Sequence, residues 1–219
     1  MPRTLQIALP ALLTSILVTV ALTGFVNERP RTTPAPQQQA EPSTWTVDKA
    51  HSAIRFRVRH MGITNVEGKF HDYEVQLSLD PTDVRTLKTT ATIDINTVDT
   101  GVDRRDNDLR SEGFFFVEQY PTMTFASTGV QDVDGTTFKL LGDLTIRGVT
   151  KPVVLDAEML GPIAGPRGRE RVGFTATTTI DRMDYGLKWD RLTEAGGFVV
   201  AHDVSITIDV EASRDAPAN

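Results

Sequence analysis

Apolar and polar residues alternate with a period of two from Trp45 onward, and this pattern constrains the chain to β-structure. In segment 54–59, Ile, Phe and Val at the even positions alternate with arginine at the odd positions. Because successive side chains of a strand point to opposite faces, the pattern predicts half-buried strands with one apolar and one solvated face. About eight such strands, separated by turn signals, predict an all-β sandwich or barrel. An eight-stranded barrel is just wide enough to hold one slender ligand.

The stretch from Asp99 to Phe125 interrupts the strand pattern and predicts one short helix. Asp103 is expected to cap the start of this helix, and Gly113 is expected to end it in the left-handed conformation. Three consecutive phenylalanines follow at 114–116. In an extended chain they would point to both sides and need two apolar surroundings, one of which a barrel mouth or a lipid-filled cavity would supply.

The N-terminal part of the chain differs in composition from the rest. The run from Ile7 to Val26 is apolar and almost uncharged, and its 20 residues are enough to cross the hydrocarbon core of a bilayer. It is interpreted as a signal peptide or a membrane anchor, and both alternatives stay open. The expected organisation is this segment at 1–26, a Pro/Gln-rich linker at 27–44, a β-barrel domain at 45–213 that folds alone, and a C-terminal tail at 214–219.

Cysteine content and charge exclude several classes of protein. The chain has no cysteine, so neither disulfides nor lipid attachment through cysteine is available to it. Residues 45–219 carry 20 basic and 27 acidic side chains. Binding to nucleic acid depends on a basic surface, and nucleic acid is therefore not expected as a partner.

Short motifs spread along the domain are similar to those of one known family. They are His51-Ser52, Gly68-Lys69-Phe70, Thr100-Gly101, Leu109-Arg110-Ser111, Tyr120-Pro121, Gly142-Asp143-Leu144-Thr145-Ile146, Gly148-Val149-Thr150-Lys151-Pro152, Asp181-Arg182 and Tyr185-Gly186. In this order, from Trp45 to about Ser213, the chain closely resembles the YceI-like family.

The resemblance implies an extended, eight-stranded, antiparallel, lipocalin-like β-barrel whose apolar tunnel holds a polyisoprenoid chain. The bound lipid would be an isoprenoid pyrophosphate or an isoprenoid quinone. The resemblance also implies a bacterial, exported protein, either periplasmic or anchored to the outer face of the cytoplasmic membrane. The chain departs from the family pattern at Asp108, where histidine is common, and at Phe116, where aspartate is common. Phe116 is expected to make the mouth of the tunnel more apolar if it points inward.

The sequence lacks a convincing pattern for catalysis or for metal binding. Its four histidines lie on different predicted strands and have no short metal-ligand spacing. Asp181, Arg182 and Asp184, near Trp189, resemble an acid-base cluster, but a buried ion pair that closes one barrel end is the favoured interpretation. Neither an enzymatic activity nor a metal is expected, and the only bound group expected is the lipid.

The candidate binding residues fall into a tunnel group and a head-group pair. A tunnel lined by apolar side chains could hold a prenyl chain without polar contacts, because each Å² of buried apolar surface contributes about 25 cal/mol. The predicted tunnel residues are Phe56, Val58, Ile93, Ile95, Phe115, Phe125, Leu144, Phe174 and Ile206. For an anionic head group, Arg105 is the first candidate because a guanidinium binds phosphate oxygens bidentately, and His60 is the second. A helix-surface ion pair is the alternative role of Arg105.

These observations lead to an expected function, with two alternatives. The chain is expected to be a non-enzymatic, extracytoplasmic carrier or reservoir of an isoprenoid lipid. Its N-terminal segment would attach it to the membrane if it is not cleaved, and a homodimer is one possible oligomeric state. The alternatives are an enzyme that acts on an isoprenoid-derived substrate in the same barrel, and a structural or partner-binding β-module with a filled core.

Overall fold

The computed structural model describes residues 42–194 and 196–215, which form eleven strands and one α-helix. The predicted signal peptide or anchor, nearly all of the linker and most of the tail lie outside the described residues. The elements of the described residues are β1 (Ser43–Val47), β2 (Ala53–His60), β3 (Thr64–Phe70), β4 (Tyr73–Asp80), β5 (Asp83–Asp94), β6 (Val98–Asp99), α1 (Asp103–Arg110), β7 (Thr122–Asp134), β8 (Thr137–Ile146), β9 (Val149–Ala164), β10 (Arg169–Asp181) and β11 (Val200–Asp215).

The eleven strands close into an antiparallel barrel of eight because three long strands are each interrupted once. A 3-10 turn at Lys49–His51 separates β1 from β2, residues 71–72 separate β3 from β4, and a 3-10 turn at Ile95–Thr97 separates β5 from β6. Along one edge β11 pairs with β10, and along the other it pairs first with β2 and then with β1. This pairing closes the ring, so the predicted eight-stranded barrel with one short helix is confirmed.

The two ends of the barrel differ in what covers them. In an antiparallel barrel alternate connections lie at the same end. One end, here called the plugged end, therefore holds the start of β1, the turn 165–168 and the end of β11. The other end, here called the helix end, holds the turn 61–63, the connection from β6 to β7 with α1, and the loop 182–199 between β10 and β11.

The period-two pattern of the sequence corresponds to the two faces of the barrel wall. In β2, the apolar residues at 54, 56 and 58 face the interior, while the arginines at 55, 57 and 59 are exposed. Buried apolar side chains form two clusters, one around Ile95 and Tyr185 and one around Trp45 and Leu79. The domain therefore has a core at each end of the barrel, and the space between the two cores decides what the barrel can hold.

The helix is present, but both of its predicted boundaries are wrong. Its first residue is Asp103, and the extended residue before it, Val102, takes the N-cap position without a capping side chain. It ends at Arg110, where Ser111 has an extended conformation and its hydroxyl donates to the carbonyl of Asp108. Gly113 lies beyond the helix and is not among the residues with positive φ, so it does not end the helix.

Two further local predictions are corrected by the structure. Phe114 and Phe115 lie in a turn, and Phe116, which follows it, has a φ of 54°. Its ring packs edge-on against Tyr120 at 6.2 Å and does not line the cavity, so the tunnel mouth gains no apolar surface from it. The Gly/Pro/Arg-rich composition of segment 161–168 predicts a mobile loop, but β9 continues to Ala164 and only a short 3-10 turn separates it from β10. Among the described residues, no helix has the length and apolar character needed to cross a membrane.

Candidate functional site: an apolar tunnel

A cavity runs through the barrel between the two apolar clusters and has an almost entirely apolar lining. All but four of its lining residues are apolar, and the four polar ones are Thr89, Thr178, Arg182 and Arg55, whose side chain is exposed and pairs with Asp209 on the outer wall. The cavity has a volume of about 210 Å³. Residues of both clusters line it, so the cavity extends along the barrel as a narrow tunnel. An apolar cavity of this kind offers water few hydrogen-bond partners and favours an apolar occupant.

The structure brings together eight of the nine predicted tunnel residues. Those that line the cavity are Phe56, Val58, Ile93, Phe115, Phe125, Leu144, Phe174 and Ile206. Ile95 is the exception, because it begins the 3-10 turn after β5 and its backbone N–H donates to the carbonyl of Pro121 at 2.9 Å. It is fully buried in the core below the cavity wall. The alternation places Ile95 on the inner face, but it cannot show that the strand has already turned at this residue.

Two glycines make room for aromatic rings inside the tunnel. A Cβ atom at Gly68 would lie 2.4 Å from the ring of Phe56, which is its cross-strand partner. A Cβ atom at Gly142 would lie 2.3 Å from the ring of Phe125 and 2.7 Å from the carbonyl oxygen of Ala126. Since real Cβ atoms do not approach this closely, these two rings occupy their positions only because the strand opposite carries glycine.

Replacing Gly142 by alanine is therefore expected to displace Phe125 and to destabilise the domain by about 1–3 kcal/mol, the usual cost of overpacking. Gly129 on the neighbouring strand β7 is the matched control, because a Cβ atom there has nothing within 4 Å. Its alanine variant should change the free energy of unfolding by no more than about 0.5 kcal/mol. Denaturant unfolding of both variants measures the difference, and equal stabilities would contradict the packing described.

At the plugged end, a tryptophan closes the tunnel. Trp45 is almost fully buried, and its indole N–H donates to the carbonyl of Leu79 at 3.1 Å. The guanidinium of Arg214 lies 4.7 Å from the centre of the indole ring, a cation–π distance. Trp45, Leu79 and their buried neighbour Val172 do not line the cavity. The described residues therefore leave no opening for a ligand at the plugged end.

At the helix end, the side chains that cover the tunnel are less completely buried than Trp45 and Leu79 at the plugged end. Phe114 lines the cavity and stacks on Trp189, with ring centroids 5.3 Å apart. Leu187 and Val200, at the two ends of the loop between β10 and β11, also line the cavity. Phe114, Val200 and the nearby Val204 are only half-buried. This end is thus covered less completely than the plugged end and is the more accessible of the two, and Leu187 and Trp189 of the loop lie over it.

A buried arginine fixes this loop. Arg182 follows β10 in a short 3-10 turn, is only 3% exposed and lines the cavity. Its guanidinium donates to four backbone carbonyls of the loop region: Leu187 at 2.5 Å, Trp189 at 2.8 Å, Ala201 at 2.9 Å and Val200 at 3.1 Å. A planar fork of donors can satisfy several carbonyls at once, which a lysine cannot do. Arg182 therefore ties both ends of the loop to the barrel.

The predicted buried ion pair at this position is wrong. Carbonyl oxygens hold the guanidinium of Arg182, and Asp184 instead faces Lys151 at 3.9 Å on the surface. Burial lowers the pKa of Arg182, and the charges of Asp190 and Asp181 oppose this shift. Arginine starts so far above physiological pH that the group remains a cation. The sequence singled out Arg182, but the oxygens that hold it are backbone atoms and leave no signal in the residue pattern.

The two predicted head-group residues lie outside the cavity lining. Arg105 on α1 donates from Nε to the hydroxyl of Thr100 and from Nη2 to its carbonyl, both at 2.7 Å. The carboxylate of Asp106, buried beside it, accepts the backbone N–H of Thr100. Arg105 thus supports the chain that leads into the helix, and it makes no ion pair among the described residues. His60 ends β2 and pairs with Thr64 and Val200. Their head-group roles stay predictions.

A cluster of titratable groups lies on the outer wall, away from the tunnel. Asp48, His51 and Glu211 place one ligand atom each within 4.8 Å of one another, the arrangement that a metal site would need. The guanidinium of Arg171, however, pairs with Glu211 and lies 3.7 Å from Asp48. The hydrogen bond from His51 lowers the pKa of Asp48. Since Arg171 already supplies the positive charge, the cluster is a surface ion-pair network.

The closed barrel and its apolar tunnel define the chain as a lipocalin-like β-barrel with an interior suited to a slender apolar molecule. A family model described as the YceI-like domain matches residues 45–212. UPF0312 protein SAB2563 of Staphylococcus aureus strain bovine RF122 is 35% identical over 172 residues, which are 78% of this chain and 98% of the relative. The chain therefore belongs to the YceI-like family.

Solved structures have the same fold. A Campylobacter jejuni YceI protein, which crystallises with large solvent channels, matches with a TM-score of 0.64 and 36% identity, over 78% of this chain and 98% of its own. Burkholderia cenocepacia BcnA matches with a TM-score of 0.66 and 23% identity, over 75% and 98%. A polyisoprenoid binding domain from Saccharophagus degradans matches with a TM-score of 0.54 and 18% identity, over 81% and 100%. At these lower identities, the last two likenesses concern the fold alone.

Proposed function

We propose that the domain binds one isoprenoid lipid in its tunnel and acts as a non-enzymatic carrier or reservoir of that lipid. The observation that carries the proposal is the tunnel itself, a long, narrow space whose lining has four polar residues among many apolar ones. Membership of the YceI-like family supports it, as does the Saccharophagus degradans neighbour, which is described as a polyisoprenoid binding domain.

The shape of the tunnel favours a prenyl chain. Branched, slender chains fill a narrow space lined by rings and β-branched residues, and burial of each Å² of their surface contributes about 25 cal/mol. The rings of Phe56 and Phe125, set opposite glycines, narrow the tunnel and add apolar surface for contact with such a chain. Specific polar contacts are not needed for such binding, because the apolar area alone supplies the affinity.

The head group of the lipid would lie at the helix end, where the tunnel is accessible and Arg182 contributes a positive charge. An isoprenoid quinone would need no further cation there. A pyrophosphate would need donors in addition to those that Arg182 commits to carbonyls, and Arg105 is the proposed source. The protein would act outside the cytoplasm, a location supported by the apolar run from Ile7 to Val26.

Binding isotherms of an isoprenoid quinone and of a pyrophosphate with the same prenyl chain test the proposal. Both should bind the wild-type chain. Arg105→Ala should weaken binding of the pyrophosphate by about 1.5–3 kcal/mol, the scale of a charge-assisted hydrogen bond, and leave the quinone unaffected. Equal losses for both ligands would refute the head-group role of Arg105, and failure of both ligands to bind the wild-type chain would refute the proposed function.

A further inference from the structure

Exposed apolar side chains gather around the accessible end of the tunnel. Four of them, Met61, Ile63, Leu192 and Phe198, are 48%, 82%, 59% and 43% exposed, and they are called the apolar rim below. Met61 and Ile63 belong to the tight turn between β2 and β3, and the other two belong to the loop over the tunnel. Exposed apolar residues grouped in this way mark a surface that contacts another apolar phase.

The two parts of the apolar rim form one continuous surface. The backbone N–H of Met61 donates to the carbonyl of Val199 at 2.9 Å, which joins the turn to the loop. Within the loop, Leu192 pairs with Phe198 in an antiparallel bridge. The residue after Val199, Val200, pairs with His60 and lines the tunnel. The rim therefore borders the tunnel entrance directly.

The area of the rim favours a lipid bilayer over a second protein. Its four side chains expose on the order of 400 Å² in total, whereas a stable protein partner needs about 800 Å² on each side. Met61 and Ile63 lie in a tight turn, and Leu192 and Phe198 face each other across the loop. The exposed charges of the loop are mixed in sign, with Lys188 and Arg191 beside Asp190 and Glu194.

We infer that the apolar rim inserts into the surface of a lipid bilayer and so places the tunnel entrance against the membrane. The inference rests on the proposed function, because an isoprenoid lipid resides in a bilayer and would otherwise cross water with its chain exposed. Docked in this way, the loop over the tunnel lies in the interfacial layer, and the lipid passes from the bilayer into the barrel through a continuous apolar environment.

The absence of native cysteine allows a direct test with the full chain. Single-cysteine variants Ile63→Cys and Leu192→Cys, labelled with an environment-sensitive fluorophore, are mixed with vesicles of phosphatidylethanolamine and phosphatidylglycerol that contain no isoprenoid. Ile163→Cys is the matched control, because Ile163 is 62% exposed and lies at the plugged end. We expect a severalfold rise in fluorescence, quenched by brominated lipid, at the two rim positions and no change at the control. Any binding through the N-terminal apolar segment affects all three variants alike.

Three outcomes would overturn the inference. The first is no fluorescence change at the labelled rim positions, and the second is an equal change at the control position 163. The third is a change at the rim positions that depends on protein concentration in the absence of vesicles, which would indicate a second copy of the chain as the partner. Vesicles without isoprenoid keep this test separate from the proposed function. If the rim inserts but the isotherms show no isoprenoid binding, only the proposed function fails; if the isoprenoid binds but the rim stays in water, only the docking inference fails.

Discussion

Replacing Phe174 by aspartate is expected to abolish binding of an isoprenoid lipid. The side chain of Phe174 lines the tunnel midway along β10, opposite Val210 of β11. A carboxylate there must be desolvated when a prenyl chain fills the tunnel, at a cost of about 3 kcal/mol or more, which lowers affinity at least about a hundredfold. Burial also raises the pKa of such a carboxyl group, so part of the affinity should return as the pH falls and the group becomes neutral. Quinone isotherms over a range of pH measure both effects.

A control variant separates the tunnel from the rest of the barrel. Thr179 lies on the same strand, is exposed and points outward. Thr179→Asp adds the same charge to the outer wall and should bind the quinone as the wild-type chain does. Circular dichroism checks the fold of both variants. If Phe174→Asp does not fold, Ala91→Trp blocks the tunnel without a charge, because Ala91 also lines it. Undiminished binding by either folded tunnel variant would show that the ligand lies elsewhere.

The second large effect is expected at Arg182, whose replacement by alanine should destabilise the helix end by about 3–5 kcal/mol, because it leaves several buried carbonyl oxygens unsatisfied. The substitution leaves four carbonyl oxygens without their donor, and those at Leu187 and Ala201 hold the two ends of the loop over the tunnel. Each lost hydrogen bond to a buried charged group contributes about 1.5–3 kcal/mol, and water can replace only part of this. Hydrogen exchange should show faster exchange of loop amides, together with a lower free energy of unfolding.

Arg85→Ala is the control for this variant. The side chain of Arg85 is 66% exposed, and among the described residues its guanidinium pairs only with Asp83 at 3.4 Å, so its loss should cost less than about 1 kcal/mol. Arg182→Lys should behave like the alanine variant in the loop, because the donors of an ammonium all sit on one nitrogen and cannot reach the four carbonyls that Nε, Nη1 and Nη2 of Arg182 reach together. Wild-type exchange rates in the loop of Arg182→Ala would contradict the role assigned to this residue.

The strands and most of the tunnel residues could be predicted because both depend on alternation, whereas the choice of a barrel over a sandwich came from the resemblance to the YceI-like family. A period of two places Phe56 and Val58 on one face and the arginines between them on the other, whatever the neighbouring strands do. Closing eight such strands leaves one interior, so inward residues on distant strands must meet there. Ile95 fails the same rule because the chain turns at that residue, and alternation applies only while the strand continues.

The helix end was harder to predict because backbone atoms determine it. The helix begins after Val102, which has no capping side chain, so the usual N-cap signal at Asp103 is shifted by one residue. The role of Arg182 depends on carbonyl oxygens that any sequence provides. The apolar rim combines a turn and a loop that are more than a hundred residues apart, and only the pairing of β2 with β11 brings Met61 beside Val199. No local pattern contains that contact.

Native mass spectrometry of the full chain purified from its host tests the central claim most directly. The account predicts a mass excess that corresponds to one isoprenoid lipid, identified after extraction, and its absence from Phe174→Asp. A bare chain mass, combined with no uptake of added isoprenoid quinone or pyrophosphate, would contradict the account and would indicate a barrel whose apolar interior serves packing alone.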